Sequence, residues 1–416
     1  MTAARRRRPL AALAALAALA TFAGLTVTAP AAASPPGNSV RFSTFNASLN
    51  RSFEGQLITD LSTPGNAQAS NVAEIIQRVR PDVLLINEFD YDSAGTALRL
   101  FQDNYLSISQ GGAAPIRYPF RFAAESNTGI PSGFDFNNNG VIGGPDDAYG
   151  FGFYPGQFGM AVLSMFPIDP TGIRTFQKFL WKDMPGALLP DDSSTPAPQD
   201  WYSPAELNVF RLSSKSHWDL PILVNGRVVH FLTSHPTPPV FDGPEDRNGR
   251  RNFDEIRFWA DYIAPWSSTY IYDDQGRRGG LPFGSRFVIA GDQNSDPRDG
   301  DSIPGAIQQL LDHWLVNPHH PPSSLGAVEQ DALQGGINRI HLSNPAYDTA
   351  DFADTAPGNL RADYVLPSRL IRITDSGVFW PLMSDPLFRL VGTFPFPTSD
   401  HRLVWTDLQL GPGNTG

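Results

Sequence analysis

The 416-residue chain contains no cysteine, so it has neither disulfides nor thiolate metal ligands to stabilise it. After residue 33 no apolar run is long enough to span a bilayer. Basic residues are also scarce, since 31 Lys and Arg stand against 42 Asp and Glu. An acidic surface does not attract nucleic acid or anionic lipid by itself, although bound cations can reverse the sign inside one cleft.

The N-terminus has the pattern of a secretory signal peptide. Arg5 to Arg8 precede an almost wholly apolar run over 9–27, and Ala31 to Ala33 provide a small-residue cleavage site. A membrane anchor is the alternative, but the run is rich in alanine rather than leucine. We therefore expect residues 1–33 to be removed near Ala33 and the mature protein to be secreted, without a transmembrane anchor.

A crossover unit is predicted at the start of the mature chain. The segment 40–45 is typical of a strand, and apolar residues at 72, 75, 76 and 79 indicate a helix that Pro81 ends. The aliphatic run 83–86 then predicts a fully buried strand. A strand, a helix and a strand in this order favour parallel pairing of the two strands.

The rest of the chain alternates short strands with long loops. Residues 89–158 are predicted to be an ordered insertion, and 166–204 and 316–358 to be loops. Asn225-Gly226 predicts a hairpin turn, and helices are expected from near Asn252 and over 303–311. Strands are expected at 160–164, 209–212, 222–224, 228–233, 287–290, 364–366, 371–374 and 403–405. We predict one α+β domain over 34–416, with two sheets covered by helices.

Polar residues follow or begin several of these apolar stretches. A polar side chain at the end of a buried strand packs poorly but can face a shared cleft. Taken singly, each such residue could equally be a turn or cap residue. The residues with this placement are Asn46, Glu88, His235, Asp292, Asn294, Asp363, Asp400 and His401.

These residue types suit the hydrolysis of a phosphoester. Carboxylate and amide oxygens can hold a hard divalent metal ion such as Mg²⁺ or Mn²⁺, which neutralises phosphate and leaving-group charge. A carboxylate or an imidazole can take a proton from the attacking water. Asp292 and Asn294 lie two residues apart and face the same side of an extended segment.

Six short strings that contain these residues occur along the chain in the order Thr-Phe-Asn, Ile-Asn-Glu, Ser-His-Pro, Gly-Asp-Gln-Asn, Ala-Asp-Tyr and Ser-Asp-His. Together they resemble the endonuclease/exonuclease/phosphatase superfamily of DNase I-like phosphoesterases. The resemblance covers roughly residues 39–410 and implies a four-layer α/β/β/α sandwich with long loop insertions. It also implies a role for each matching residue. Glu88, helped by Asn46 and Asp400, would bind the metal ion. Asp292 would position the attacking water, with Asn294 beside it. His235 and His401 would contact the phosphate, and Asp363 would orient His401.

A second metal site is predicted inside the insertion. Residues 135–146 have the spacing of an EF-hand loop, with Gly140 at its sixth position. The twelfth residue is Asp rather than Glu, and an ordinary Asn/Gly turn is the alternative. We expect a structural calcium ion held by Asp135, Asn137, Asn139, Val141 and Asp146.

The predicted function is a secreted, metal-dependent phosphoesterase that acts on phosphomonoesters or small phosphodiesters. These substrates fit an acidic chain without a basic track. An extracellular nuclease is the first alternative. A phospholipid phosphodiesterase would need an exposed apolar hairpin, for which Phe179-Leu180-Trp181 is the candidate. A binding module that lost the chemistry is the alternative from a different class. We expect a monomer.

Overall fold

A computed structural model describes residues 39–410, so the predicted signal peptide and the last six residues lie outside the described part. Thirteen strands are present in that part. They are β1 (Ser39–Leu49), β2 (Val83–Phe89), β3 (Phe120–Phe122), β4 (Met160–Ser164), β5 (Arg174–Thr175), β6 (His217–Val224), β7 (Arg227–Ser234), β8 (Phe287–Asp292), β9 (Ala350–Asp351), β10 (Asn359–Leu360), β11 (Asp363–Pro367), β12 (Arg372–Val378) and β13 (Val404–Gln409).

Seven α-helices connect these strands. They are α1 (Gln56–Leu61), α2 (Ala67–Val79), α3 (Thr96–Phe101), α4 (Pro204–Leu207), α5 (Arg247–Ile263), α6 (Gln308–Leu311) and α7 (Leu325–Gln334). Within residues 39–410, none of the helices combines the length and the apolar character that a membrane crossing requires.

The strands form two large sheets and one small pair. The first sheet has the order β12-β13-β1-β2-β4-β3, the second has the order β11-β8-β7-β6-β5, and β9 pairs with β10. The pairs β1/β2 and β7/β8 are parallel, and the other neighbours are antiparallel. The predicted crossover from β1 through α2 to β2 is therefore confirmed.

Side-chain alternation along the strands divides the core into layers. On β2, Leu84 and Ile86 pack against α1, α2 and α3, whereas Val83 and Leu85 pack against the second sheet. The other face of the second sheet packs against α5 and α6. The result is the expected four-layer α/β/β/α sandwich, and the α+β fold class is confirmed.

The hairpin prediction is confirmed, and three other predictions need correction. Asn225 and Gly226 both have positive φ, at 49° and 76°, as a two-residue turn between β6 and β7 requires. The segment 209–212 is not a strand, because it packs irregularly with Phe210 and Leu212 buried in the core beneath α5. The loop predicted over 316–358 contains α7. The helix predicted over 303–311 is reduced to α6.

Residues 89–158, predicted as one insertion, divide into two parts. Up to residue 122 the segment contributes α3 to the helical layer and β3 to the edge of the first sheet. From 123 to 158 it has little regular structure and lies against loops of the second sheet. Gly150 shows how closely it does so, because a Cβ there would come within 1.8 Å of the carbonyl oxygen of Ser214.

Candidate active site

Strand registers bring the predicted site residues to one rim of the two sheets. On the parallel pair β1/β2, Asn46 lies opposite Asn87, and Glu88 comes next. On the antiparallel pair β8/β11, Asp292 lies directly opposite Asp363. His235 follows β7, the parallel neighbour of β8. The carboxyl ends of four strands and the amino end of β11 therefore meet at one place.

Strands β7 and β8 of the second sheet approach each other closely here because one position is glycine. Gly291 has a φ of 147°, and a Cβ on it would lie 1.9 Å from the carbonyl oxygen of Ser234. Any side chain would push β8 away from the end of β7. The glycine before Asp292 therefore sets the distance between that carboxylate and His235.

The amide of Asn46 links two carboxylates. Its Nδ2 donates to Glu88 Oε1 at 3.0 Å and to Asp292 Oδ2 at 3.1 Å. Asn50 Nδ2 donates to the other oxygen of Glu88 at 2.8 Å. The backbone N–H of Asn294 donates to Asp292 Oδ1 at 2.9 Å. Residues from both sheets thus hold Glu88 and Asp292 in fixed positions.

Two imidazoles flank the same oxygen of Asp292. His235 Nε2 lies 3.4 Å and His401 Nε2 lies 3.6 Å from Asp292 Oδ2. His401 Nδ1 donates to Asp363 Oδ2 at 2.8 Å, and Thr349 Oγ1 donates to the same oxygen at 2.9 Å. Asp363 therefore orients His401 as the family resemblance implies.

The surroundings push the two imidazoles toward opposite charge states. Burial, helped by the positive charges of Lys215 and His401, lowers the pKa of His235 well below its ordinary value. Burial also opposes a charge on His401, but Asp363 and Asp292 outweigh burial and hold the pKa of His401 well above its ordinary value. A neutral and a charged imidazole beside one carboxylate are suited to acid–base chemistry.

Burial also disfavours the ionised carboxylates. It raises the pKa of Asp292 to about 7, against the lowering effect of charged His401. It raises the pKa of Glu88 as well, and the charge of Asp400 adds to this increase. Carboxylates crowded in this way gain stability from a bound cation.

Three residues at this rim have a left-handed backbone without being glycine. Glu88, Asn294 and Ser48 have φ values of 56°, 50° and 48°. Such conformations cost on the order of 1–3 kcal/mol each and concentrate at functional sites. At Glu88 the backbone leaves the regular alternation of β2, which turns the carboxylate toward Asn46.

The donor chemistry fits a metal ion. Ligand atoms of Asp292, Asp363 and His401 lie within 4.8 Å of one another, and this buried group could hold an ion. Asp363 Oδ1 is buried and has no hydrogen-bond partner among the described residues. The carboxylates of Glu88 and Asp400 line the same cavity as Asp292. Carboxylate and amide oxygens of this kind suit a hard divalent cation.

Sequence reasoning missed several residues that support the site. Asn50 binds Glu88, and Thr349 binds Asp363. Asn87 connects the two sheets, because its Oδ1 accepts from Thr44 Oγ1 at 3.1 Å and from the backbone N–H of Asp292 at 3.4 Å. Asn87 stands in the Ile-Asn-Glu string, so a signal existed there, whereas Asn50 and Thr349 lie in segments without a pattern.

The predicted calcium loop forms a tight turn around Asp135. Its carboxylate accepts the backbone N–H groups of Asn139 at 3.0 Å and Gly140 at 2.7 Å, and Asn137 Oδ1 accepts that of Asn139 at 3.1 Å. Asp146 is exposed. The carboxylate that closes the loop is that of buried Asp147, which accepts from Gly143 and Gly144. The calcium ion stays a prediction.

Burial decides the role of several other residues. Phe179 and Trp181 are buried in the core, so they do not form an exposed apolar hairpin. His217 is also buried and bonds Ser213 Oγ and the carbonyl of Glu255, which is a structural role. Lys215, in contrast, lines a cavity that includes Glu88 and His235.

A family model provides the decisive comparison. The model described as endonuclease/exonuclease/phosphatase family matches residues 43–401. The chain belongs to this family. The match runs from β1 to the site residue His401, and members of the family are hydrolases that act on phosphoester bonds. A search of curated proteins finds no match.

Several solved structures resemble this chain at low identity. A family protein from Beutenbergia cavernae is 17% identical, with 90% of this chain and 72% of that one covered and a TM-score of 0.49. Truncated TDP2 from Caenorhabditis elegans is 15% identical, with coverages of 90% and 100% and a TM-score of 0.42. Sphingomyelinase C from Streptomyces griseocarneus is 16% identical, with coverages of 89% and 99% and a TM-score of 0.42.

Proposed function

We propose that this chain is a secreted phosphoesterase that hydrolyses phosphomonoesters or small phosphodiesters with the help of Mg²⁺ or Mn²⁺. The observation that carries the proposal is the meeting of Glu88, Asp292, Asp363, His235 and His401 at one rim. Family membership supports the reaction class. The signal-peptide pattern of residues 1–33 supports export, and the bound ion would neutralise phosphate and leaving-group charge.

We assign the ion to the carboxylates of Glu88 and Asp400, with Asp292 beside them. The amide oxygen of Asn46 would join them once the amide turns from the orientation in which its Nδ2 donates to Glu88 and Asp292. His401 is assigned to phosphate rather than to the ion, because Asp363 and Asp292 favour its charged form and hold its pKa well above the ordinary value. Metal ligation requires neutral imidazole. A charged His401 is instead suited to donating a hydrogen bond to a phosphate oxygen.

Asp292 is the group that we assign to the attacking water. Its pKa of about 7 lies near physiological pH, which suits a general base. Asn294 fixes one carboxylate oxygen through its backbone N–H, so the other oxygen faces the two imidazoles. Neutral His235 would contact the scissile phosphate from the opposite side to His401.

Activity of two variants tests the proposal. Glu88→Ala and His401→Ala should each lower kcat/KM on 4-nitrophenyl phosphate or bis(4-nitrophenyl) phosphate at least 10²-fold, because metal ligation and charge stabilisation act in the transition state. The exposed Asp312→Ala is the control and should retain wild-type activity. Melting temperatures check that the variants are folded. Full activity in both site variants, or full activity after exhaustive chelation, would show that the assignment is wrong.

A further inference from the structure

Two cavities meet at the proposed catalytic groups. The first has a volume of about 600 Å³ and the second about 570 Å³, and both are lined by Glu88 and His235. Each is large enough for an organic group of a substrate. The exposed Phe241 lines both cavities as well. The catalytic rim is therefore open on two sides.

The chemistry of the two cavities differs. Asp292, Asn294, Asp400 and His401, which are assigned to water, metal and phosphate, line only the first cavity. Lys215 lines only the second. In an in-line displacement the attacking water and the leaving oxygen lie on opposite sides of phosphorus. If water approaches from the side of Asp292, the leaving group departs toward the second cavity.

The second cavity is lined by aromatic rings. Phe136 and Phe210 have ring centroids 4.6 Å apart, and Tyr202 lies 4.5 Å from Phe210. These three rings are buried and form a fixed wall. Phe151 and Phe158, whose centroids are 6.4 Å apart, line the same cavity, and Phe151 is half-exposed at its mouth.

Lys215 is a buried cation that faces this cavity. Its side chain is only 7% exposed, and its ammonium makes no hydrogen bond or ion pair with any residue between 39 and 410. The nearby Glu255 does not hold it, because the two Glu255 oxygens accept the backbone N–H groups of Ser214 and Thr237, each at 2.6 Å. An ammonium buried beside Glu88 without a bonded partner is placed to receive an anionic oxygen.

We propose that the aromatic cavity is the leaving-group subsite, that it favours phosphoesters whose leaving alcohol carries a flat aromatic ring, and that Lys215 contacts the leaving oxygen. This inference rests on the proposed phosphoesterase function. Water forms a new bond to phosphorus while the bond from phosphorus to the leaving oxygen breaks. Asp292 takes one proton from the water and passes it to solvent, and solvent protonates the leaving oxygen. The products are the alcohol and the phosphate, or a phosphomonoester when the substrate is a diester.

Paired substrates and a matched pair of variants test the subsite. 2-Naphthyl and n-propyl phosphate, and their methyl diesters, are compared by the release of naphthol or propanol. Phe151→Ala should lower kcat/KM three- to tenfold on the naphthyl esters, in line with loss of one stacking contact, and less than twofold on the propyl esters. Phe153→Ala is the control, because Phe153 packs edge-to-face on Phe151 but does not line the cavity.

Three outcomes would overturn the subsite. The propyl esters could be cleaved as efficiently as the naphthyl esters, Phe151→Ala could affect both series equally, or Phe153→Ala could act as strongly as Phe151→Ala. If no ester is cleaved with Mg²⁺ or Mn²⁺, the proposed function itself fails and the subsite fails with it. Cleavage without a naphthyl preference contradicts the subsite alone.

The role of Lys215 is tested by the quality of the leaving group. Lys215→Met should lower kcat at least tenfold more on propyl phosphate than on 4-nitrophenyl phosphate, because the propyl oxygen develops more charge in the transition state. Lys178→Met, at an exposed lysine, should change neither. Equal losses on the two substrates would indicate a structural role and contradict the contact with the leaving oxygen.

Discussion

At the scale of single residues, the site depends on side chains that hold one another. Asp90, directly after β2, is an example outside the candidate site residues. Its carboxylate accepts from Tyr154 Oη at 2.7 Å, from the backbone N–H of Arg51 at 2.8 Å and from that of Phe158 at 3.2 Å. It thereby fixes the segment that carries Phe151 and Phe158 to the strand that carries Glu88.

Asp90 should make stability depend on pH. Burial raises its pKa from 3.8 to about 6 in the folded protein, against the lowering effect of its hydrogen bonds. A raised pKa gives stability that is fully present below the unfolded value and lost as pH rises through the folded value. The free energy of unfolding of wild type, relative to Asp90→Asn, should therefore fall by up to about 3 kcal/mol between pH 4 and pH 7. Urea titrations at several pH values measure the free energy of unfolding of both proteins. If these free energies changed in parallel with pH, the prediction would be wrong.

At the scale of elements, α5 connects the second sheet to the irregular segments that wall the aromatic cavity. Arg251, in the second turn of α5, donates to the carbonyl oxygens of Leu212 at 2.8 Å, Arg211 at 2.9 Å and Tyr149 at 2.6 Å. Its guanidinium also lies 4.8 Å from the centre of the Phe210 ring. A buried arginine bonded to three carbonyls has a structural role and does not contact phosphate.

Replacing Arg251 should loosen these segments. Arg251→Met leaves three carbonyls without their donor and should lower the free energy of unfolding by about 3 kcal/mol, since hydrogen bonds to charged groups contribute roughly 1.5–3 kcal/mol each and part of the loss is regained from water. Arg250→Met is the control in the same helix, because Arg250 makes one long bond of 3.5 Å to the carbonyl of Leu189. Chemical denaturation measures the free energy of unfolding of both variants. Equal losses in Arg251→Met and Arg250→Met would show that Arg251 has no special role.

The elements also show what the sequence could predict. The spacing of apolar residues and the types of turn residues were sufficient to predict β2, α2 and the Asn225-Gly226 hairpin, because local conformational preference and burial agree there. They failed where the two disagree. Three of the four residues at 209–212 are apolar, yet the segment is irregular, with Phe210 and Leu212 buried under α5. Helix α7 lies among loop-forming residues, and its one clear signal is Ser324, whose hydroxyl accepts the backbone N–H of Ala327.

At the scale of the whole molecule, the order and types of the polar residues predicted that they share one rim, and strand register explains why they meet there. Glu88 from the first sheet and Asp292 from the second are joined by the amide of Asn46. The second cavity could not be predicted. Its lining comes from Phe136, Phe151, Tyr202 and Phe210, which show no regular spacing in the sequence. Only folding brings these residues close to Lys215.

The segment that closes this cavity begins with the predicted calcium loop, and calcium should stabilise the whole molecule. In a chain without cysteine, an ion held by Asp135, Asn137 and Asn139 would replace a covalent link. A ligand at about 100 times its Kd adds roughly 2.7 kcal/mol to the free energy of unfolding. In excess Mg²⁺, EGTA should therefore lower the melting temperature of wild type by a few degrees. Asp135→Ala should melt at the lower temperature with or without EGTA. If EGTA changed the melting temperatures of the two proteins equally, residues 135–146 would be an ordinary turn.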